Sequence, residues 1–246
     1  MALNLTHLEP ISLEEMDEAA SLRTRIDRKY IVDRDTVTAI VESLPPSSAV
    51  LDIDGKRSFS YQSVYFDSPN FDSYRSAAYR RRRRFKIRSR VYVDSDICKL
   101  EVKLRAGRKM NAKKRFDYTL DKHKEITSEG RRFIESVVGD LSVPKELKPV
   151  LTTKYDRTTL VDLNSWARLT CDENLICEDW EENKVSLDHF VFETKSAGPP
   201  SCFDQLLWAH GIRPVRISKF CTGLAALHPE LPSNKWRRTL NRYFSY

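Results

Sequence analysis

The chain has 246 residues, of which 40% are hydrophobic and 31% are charged, so one large β-rich domain or two small ones can form. Its formal net charge of +7 favours an anionic partner. The five cysteines form no CxxC pair, which disfavours a disulfide framework and a structural zinc site. No apolar run approaches ~18 residues and the N-terminus has no signal-peptide core, so we expect a cytoplasmic protein.

Hydrophobic periodicity and capping residues predict helices and strands along the chain. Before residue 95 they predict a helix from Ser12, a strand at 28–33, a helix capped by Asp33 or Asp35 and ended by Pro45, and strands at 59–68 and 80–93. Further strands are predicted at 98–106, 112–120, 151–162, 167–177 and 188–196. Further helices are predicted at 127–141, 200–211 and 218–227, before a basic aromatic tail at 233–246. The total is about eight strands with helices between and around them.

Many of these strands have one charged face and one apolar face. Between residues 84 and 92, one face has Arg84, Lys86, Arg88 and Arg90, while the other is apolar apart from Ser89. Neighbours on one face lie roughly 7 Å apart, so each like-charged pair costs about 2 kcal/mol at an effective dielectric of ~20. Two interpretations follow. One is an antiparallel sheet with a solvated side; the other is an inside-out barrel whose charged, hydrated lumen binds a linear polyanion.

Nine short stretches carry a resemblance to a known family. They are RKYIV, SVYFDSPNFDSY, FKIRSRVY, LEVKLR, AKKRF, KYDRTTL, RLTCDENL, FETKS and RISKFCTG. Taken in this order, they resemble the VTC domain, the catalytic domain of the vacuolar transporter chaperone complex. That domain belongs to the triphosphate tunnel metalloenzyme (CYTH-like) superfamily. The stretch SVYFDSPNFDSY and the final SKF are the most distinctive parts of the resemblance.

The resemblance implies a fold of the α+β class, an eight-stranded, mostly antiparallel β-barrel tunnel with a charged lumen, covered by helices. It implies a single domain over residues 1–246, with the barrel at about 20–225 and the basic C-terminal tail at 233–246. It also implies a stand-alone, bacterial-type polyphosphate polymerase. Such an enzyme transfers the γ-phosphoryl group of ATP to a growing polyphosphate chain, with Mn²⁺ or Mg²⁺ as cofactor.

The same resemblance implies a set of phosphate-binding and catalytic residues. They are Lys29, Arg88, Arg90, Lys103, Lys113, Arg115, Arg157, Arg168, Lys195, Arg216, Ser218 and Lys219. Glu193 is the expected metal ligand, and Glu101 is a second metal candidate. Arginines clamp phosphate oxygens with paired donors and lysines act as point charges, which is the positioning that phosphoryl transfer requires.

Two departures from the family pattern leave roles open. Arg216 stands where eukaryotic members have lysine. The segment between Tyr74 and Arg84 is too short and too basic to align one family arginine, so the role of Arg75 and of Arg80–Arg84 stays undecided. One interpretation of the run Arg80–Arg84 is a solvated segment that guides anions inward; another is that Arg75 or Arg80 replaces the family arginine.

Other functions remain open from the residues alone. A tunnel-type inorganic or nucleoside triphosphatase shares nearly all these ligands, because water replaces the phosphate acceptor, and a non-catalytic polyphosphate or nucleotide sensor shares them too. Nucleic acid is a disfavoured partner, because the basic strands lack the stacking aromatics of RNA-binding surfaces. The basic tail is expected either to dock on the barrel or to meet a membrane-protein partner or an acidic membrane, as a peripheral protein would.

Overall fold

The structure is a computed structural model that describes residues 3–19, 26–106, 111–139 and 141–244. The predicted first helix beyond residue 19 and the last two residues of the tail lie outside this part of the chain. The chain forms two compact units, each assembled from separate stretches. Unit 1 contains Met1–Phe59, Tyr155–Leu175 and Leu187–Ile217, and unit 2 contains Ser60–Lys154, Ile176–Ser186 and Ser218–Tyr246.

The structure contains both predicted types of element. The strands are β1 (Glu9–Ile11), β2 (Ile26–Val32), β3 (Ser48–Leu51), β4 (Phe59–Asp67), β5 (Arg83–Tyr92), β6 (Ile97–Ala106), β7 (Asn111–Tyr118), β8 (Lys148–Asp162), β9 (Arg168–Glu178), β10 (Lys184–Leu187) and β11 (Phe190–Ser196). The helices are α1 (Leu13–Ala19), α2 (Arg34–Glu42), α3 (Asp72–Ala78), α4 (Ser128–Val138), α5 (Cys202–Ala209), α6 (Lys219–Leu227) and α7 (Arg237–Tyr243). Among the described residues, no helix is both long and apolar enough to span a bilayer.

Short polar side chains fix where the longer helices begin. Asp33 caps α2 by accepting a hydrogen bond from the backbone N–H of Thr36 at 2.8 Å, which decides between the two caps expected from sequence. Thr127 caps α4, and Ser201 forms a reciprocal capping box with Asp204 at the start of α5. Ser218 caps α6, and this places its hydroxyl oxygen at the beginning of that helix.

In unit 1 the strand order is β2-β11-β9-β8. β11 is antiparallel to both β2 and β9, so Glu193 lies opposite Lys29 on one side and Thr170 on the other. The residues that alternate with these point to the opposite face, which is covered by helices α2 and α5. The hydrophobic cluster there includes Tyr30, Val32, Phe190, Phe192, Val37, Ile40, Phe203 and Leu207.

In unit 2, β4, β5, β6 and β7 are consecutive antiparallel strands. Their apolar face packs against α4. The cluster contains Val64, Phe66, Phe85, Ile87, Leu100, Val102, Leu104, Ile134 and Val138, all buried. Each such side chain stabilises the fold by about 1.5–3 kcal/mol, so α4 fixes which face of this sheet is left for polar residues.

The predicted fold class is confirmed, with two corrections. The sheet is mostly antiparallel and the fold is α+β, but there are eleven strands among the described residues where about eight were expected. The additional strands β1, β3 and β10 are only three or four residues long, too short to show a period. Within each unit the strand order is an open path with two ends, so the described pairings do not close a ring.

The C-terminal tail is a docked element of unit 2. It contains α7, and its aromatic residues Trp236 and Phe244 are buried. The Trp236 ring lies 5.8 Å from that of Tyr74, and the Tyr74 hydroxyl donates to the Pro232 carbonyl at 3.2 Å. Docking, the first of the two alternatives predicted for the tail, is therefore observed, and no contact among the described residues of the tail indicates a membrane partner.

Candidate anion-binding site

The polar face of unit 2 is organised around one buried carboxylate. In the strand register, Arg88 of β5 and Arg115 of β7 both lie opposite Glu101 of β6. The Glu101 side chain is only 2% exposed. Its Oε2 accepts from Arg88 Nε at 2.7 Å and Nη2 at 2.5 Å, while Oε1 accepts from Lys113 Nζ at 2.7 Å and Arg115 Nε at 3.1 Å. Three of the predicted phosphate ligands thus converge on one predicted metal candidate.

The charges in this cluster shift one another's protonation. Burial raises the pKa of Glu101, but Arg88, Arg90 and Lys113 outweigh burial and hold that pKa well below its usual range. Burial, together with Arg88, lowers the pKa of Lys113 to about 7, although Glu101 opposes the shift. Glu101 therefore stays ionised at neutral pH, and the charge of an approaching anion would favour the protonated form of Lys113.

Arg90 and Lys103 extend the same face on either side of Glu101. Arg90 is buried, donates to Ser63 Oγ at 3.3 Å and lies over the ring of Tyr61 at 5.3 Å. Arg88 lies in the same way over Tyr65, 5.8 Å from the ring centroid, and donates to its hydroxyl at 3.1 Å. Tyrosines on β4 thus hold the two arginines of the R-x-R pattern. On the other side of Glu101, Lys103 lies opposite Lys113 and is exposed.

Lys86 belongs to this face although it is absent from the predicted site residues. It lies opposite Lys103 in the register, and its Nζ donates to Ser218 Oγ at 3.0 Å and contacts Cys221 Sγ at 3.3 Å. It also lies 5.3 Å from the ring centroid of Phe220. The alternation of β5 placed Lys86 beside Arg88, so this signal was available in the sequence. Its link to α6 joins Ser218 and the neighbouring Lys219, the first residue of that helix, to the charged face.

A second cluster of opposite charges lies on the polar face of unit 1. Glu193 of β11 accepts from Lys29 and from Lys195, the latter with Oε1 to Nζ at 3.0 Å. Burial raises the pKa of Glu193, but Lys29 and Lys195 outweigh it and hold the pKa well below its usual range. Burial lowers the pKa of Lys195, whereas Glu193 outweighs burial at Lys29 and raises the pKa of that lysine.

Arg157 of β8 and Asp172 of β9 form a bidentate pair beside this cluster. Arg157 Nε and Nη2 donate to the two oxygens of Asp172 at 2.6 and 2.8 Å, the geometry that holds a guanidinium plane in place. Arg168 lies opposite Lys195 and donates to the Met16 carbonyl at 2.6 Å and to Asp17. Arg168 is therefore engaged with α1.

Arg216 lies at the end of a segment that joins the edge of β2. The backbone N–H of Val215 donates to the Lys29 carbonyl at 2.7 Å, and this holds the segment next to the first predicted phosphate ligand. The Arg216 side chain is exposed. Six of the predicted residues lie in unit 1, namely Lys29, Arg157, Arg168, Glu193, Lys195 and Arg216, whereas Ser218 lies in unit 2.

The carboxylates on these faces fit a divalent cation only in part. Within the described residues, no group of three or more His, Cys, Asp or Glu side chains could hold a metal ion. Glu193 has a single carboxylate shared by two lysines, and both oxygens of Asp172 are taken by Arg157. This donor set does not suit a tightly held resident ion. It suits a hydrated Mg²⁺-like ion that takes one or two carboxylates and several phosphate oxygens.

The fold and the two faces define an α+β protein whose strands present cations, oriented by buried carboxylates, on the side away from α2, α4 and α5. The family model that matches the chain is the VTC domain, over residues 24–228. The chain belongs to the VTC domain family, as its motifs predicted. No curated protein matches it.

Two solved structures show what the fold is similar to. The putative adenylyl cyclase HpAC1 from Hippeastrum, described as having a dominant triphosphatase activity, aligns with a TM-score of 0.54 and 13% identity over 82% of this chain and 96% of that chain. A putative adenylate cyclase from Vibrio parahaemolyticus aligns with a TM-score of 0.44 and 12% identity, over 79% and 94% of the two chains. At this identity the first likeness supports the fold alone.

Proposed function

We propose that this protein is a phosphotransferase that builds inorganic polyphosphate from ATP, with a tunnel-type triphosphatase as the alternative. The observation that carries the proposal is the Glu101 cluster, in which one buried carboxylate orients Arg88, Lys113 and Arg115 on an otherwise cationic face. Membership of the VTC domain family supports the polymerase over the triphosphatase.

The residues suit phosphoryl transfer because that reaction asks mainly for positioning and charge neutralisation. Glu101 holds Nε and Nη2 of Arg88, so the plane of this guanidinium is fixed before phosphate binds. Lys113, with its pKa near 7, takes up a proton as phosphate binds. No side chain is required to form a covalent intermediate, which agrees with a site built of arginine and lysine.

A divalent cation would supply further charge neutralisation on phosphate oxygens, and Glu193 is the residue proposed to hold it. Lys29 and Lys195, which share the Glu193 carboxylate, would turn to the phosphate oxygens. We propose Mn²⁺ or Mg²⁺ as the ion, ATP and polyphosphate or triphosphate as the ligands, and the remaining predicted cations as phosphate ligands. Asp172, held by Arg157, keeps that guanidinium oriented beside Glu193.

The test compares products and site dependence in one experiment. Purified protein is incubated with ATP and Mn²⁺ or Mg²⁺, with and without a short polyphosphate primer, and products are resolved by gel and by release of orthophosphate. The proposal expects ADP and a growing polymer, both lost in Arg88→Ala and retained in the control Arg132→Ala on the exposed side of α4. Orthophosphate without polymer would replace it with the triphosphatase. Tight polyphosphate binding without turnover would replace it with a sensor.

A further inference from the structure

The cations on the polar face of unit 2 are not all balanced by carboxylates. In the middle of the face, Arg88 and its neighbours share Glu101. At one end, Lys99 pairs with Asp117 on β7. At the other end, Arg84 of β5 lies directly opposite Arg105 of β6, and neither forms an ion pair with a carboxylate of the described residues. Like charges placed directly opposite in a sheet are destabilising, so this end is a site of uncompensated charge.

Arg84 shows this lack of compensation most clearly. Burial, together with the charge of Arg105, lowers the pKa of Arg84. Its Nη1 donates to the Arg81 carbonyl at 2.5 Å, which gives the guanidinium a neutral acceptor and no counter-charge. A cation that is partly desolvated beside another cation gains more from an incoming anion than an exposed one does.

The uncompensated charge continues along the chain beyond the strand. Arg80, Arg81, Arg82 and Arg83 are all exposed and precede Arg84 directly. Their turn is fixed at its start: Arg80 has a positive φ of 56°, and the Arg81 N–H donates to the Ser76 carbonyl at 2.9 Å. The turn thus holds the run of arginines, which follows α3, next to the cationic face that begins at Arg84.

Lys235 adds a cation from the docked tail. Its Nζ donates to the Ala77 carbonyl at the end of α3, at 2.9 Å. Burial, together with the charges of Arg84, Lys86 and Arg80, lowers the pKa of Lys235, so its ammonium group lies close to these cations. We call the set Arg80–Arg84, Arg105 and Lys235 the outer basic patch.

A cavity beside the patch provides space for anionic groups. It has a volume of about 410 Å³, and Arg83 and Arg84 line it together with the serines Ser73, Ser76 and Ser142 and the apolar Phe85, Leu141 and Pro144. Ser73 is 4% exposed, and its Oγ has no hydrogen-bond partner among the described residues. A hydroxyl donor and two arginines around one recess suit oxygens of a phosphate group. Asp72 also lines the cavity, one acidic residue against two arginines, and its carboxylate accepts from Ser68 Oγ at 2.7 Å.

The geometry points to the outer basic patch as a second polyphosphate-binding segment, which holds the part of the polymer that extends beyond the catalytic face. This inference rests on the proposed function for the identity of the polymer. The patch begins where β5 leaves the cationic face, so a bound linear anion passes from Lys86 to Arg84 without crossing an acidic residue of β5. An acidic membrane is the weaker candidate, because Trp236 and Phe244, the tail aromatics that would enter it, are buried.

The patch predicts that affinity depends on polymer length. Long-chain polyphosphate should reach both the catalytic face and the patch, whereas tripolyphosphate should occupy the face alone. The triple variant Arg81→Ala/Arg82→Ala/Arg83→Ala should weaken binding of long-chain polyphosphate about tenfold. The loss is no larger because each exposed arginine contributes only modestly to the binding free energy. The same variant should change tripolyphosphate affinity less than about twofold. With ATP as substrate, its polymer should be shorter at an unchanged rate of ADP release.

The experiment measures both affinities by calorimetry in EDTA, so that metal and turnover do not enter. The control Lys122→Ala/Lys124→Ala/Arg132→Ala removes three exposed cations elsewhere in unit 2 and should leave both affinities unchanged. An equal loss for short and long polymer, or an equal loss in the control, would overturn the inference. The inference would also be overturned if the triple variant kept its affinity for polyphosphate but lost binding to phosphatidylserine vesicles. That result would assign the patch to a membrane.

A second variant keeps the test independent of folding and of catalysis. Arg82→Glu changes one exposed side chain and should reproduce the length-dependent loss, with an unchanged urea unfolding midpoint. A wild-type protein that makes no polymer from ATP would refute the proposed function. Its affinity for long against short polyphosphate would still confirm or refute the patch, so the two failures are distinguishable.

Discussion

Removal of the Glu101 charge should destabilise the free protein and increase its response to triphosphate. Glu101→Gln keeps the size of the side chain but leaves Arg88, Lys113 and Arg115 without their shared carboxylate. Loss of one partner from a buried ion pair costs about 3–5 kcal/mol. The three cations are 21%, 32% and 57% exposed, and solvent screening of such groups reduces the cost to ~2–3 kcal/mol.

That loss should be visible in thermal unfolding. At ~2–4 °C per kcal/mol for a chain of this size, the melting temperature of Glu101→Gln should fall by roughly 4–12 °C. Triphosphate supplies the missing negative charge and binds only the folded state, so it should raise the melting temperature of the variant more than that of the wild type. The matched control is Glu125→Gln, which removes an exposed carboxylate paired with Lys122. It should change neither the melting temperature nor the increase that triphosphate causes.

The measurement is differential scanning fluorimetry in EDTA, with and without tripolyphosphate, on the wild type and both variants. EDTA removes divalent cations, so a metal-binding role of Glu101 cannot imitate the effect. If the variant has the same melting temperature as the wild type, Glu101 does not balance the charges of the cluster. A variant that melts lower but gains less from tripolyphosphate than the wild type would contradict the claim that the freed cations bind phosphate.

Three further substitutions test the site. In the free protein the pKa of Lys113 is about 7, so the affinity for tripolyphosphate should fall as pH rises above 7. Lys113→Met should remove the part of this fall that comes from Lys113. Identical pH profiles of the wild type and the variant, measured by calorimetry, would contradict this. Lys86→Met should weaken tripolyphosphate binding about tenfold, since it removes a charge-assisted donor, and an unchanged dissociation constant would show that Lys86 only supports Ser218. Glu193→Gln should reduce metal-dependent ATP turnover far more than triphosphate binding in EDTA, and normal turnover would reject Glu193 as the metal ligand.

The alternation of side chains in the sequence predicted much of the fold, because a strand's two faces follow directly from its period. In β5, Phe85 and Ile87 are buried under α4 while Lys86 and Arg88 lie on the polar face. The pairing of strands was harder to predict from the sequence. The short strands β1 and β3 pair in parallel, and three-residue or four-residue stretches carry no period from which pairing could be predicted.

The charge balance of the site could not be predicted from the sequence, since it depends on register. Like charges at Arg88 and Arg90 suggested strong repulsion along one strand. The structure shows that Glu101, thirteen residues after Arg88, lies directly opposite it and binds cations from both neighbouring strands. Conversely, Arg84 meets Arg105, a pairing that leaves charge uncompensated. A shift of one residue in register would have exchanged these faces.

The contacts of Lys86 could not be predicted from the sequence for a similar reason. Its position on the charged face was evident from the alternation, but its partner Ser218 lies 132 residues later. The capping role of Ser218 fixes the start of α6, and this brings the hydroxyl to the Lys86 ammonium group. Contacts of this separation depend on how α6 packs, which local patterns do not reveal.

The fate of the γ-phosphoryl group of ATP tests the central claim most directly. Phosphorus NMR of one reaction with ATP, a divalent cation and a short polyphosphate primer distinguishes phosphate inside a polymer from orthophosphate. We predict that the mid-chain phosphate signal grows in step with ADP while orthophosphate stays near its starting level. Growth of orthophosphate in step with ADP, without any mid-chain signal, would contradict the account and identify the protein as a hydrolase.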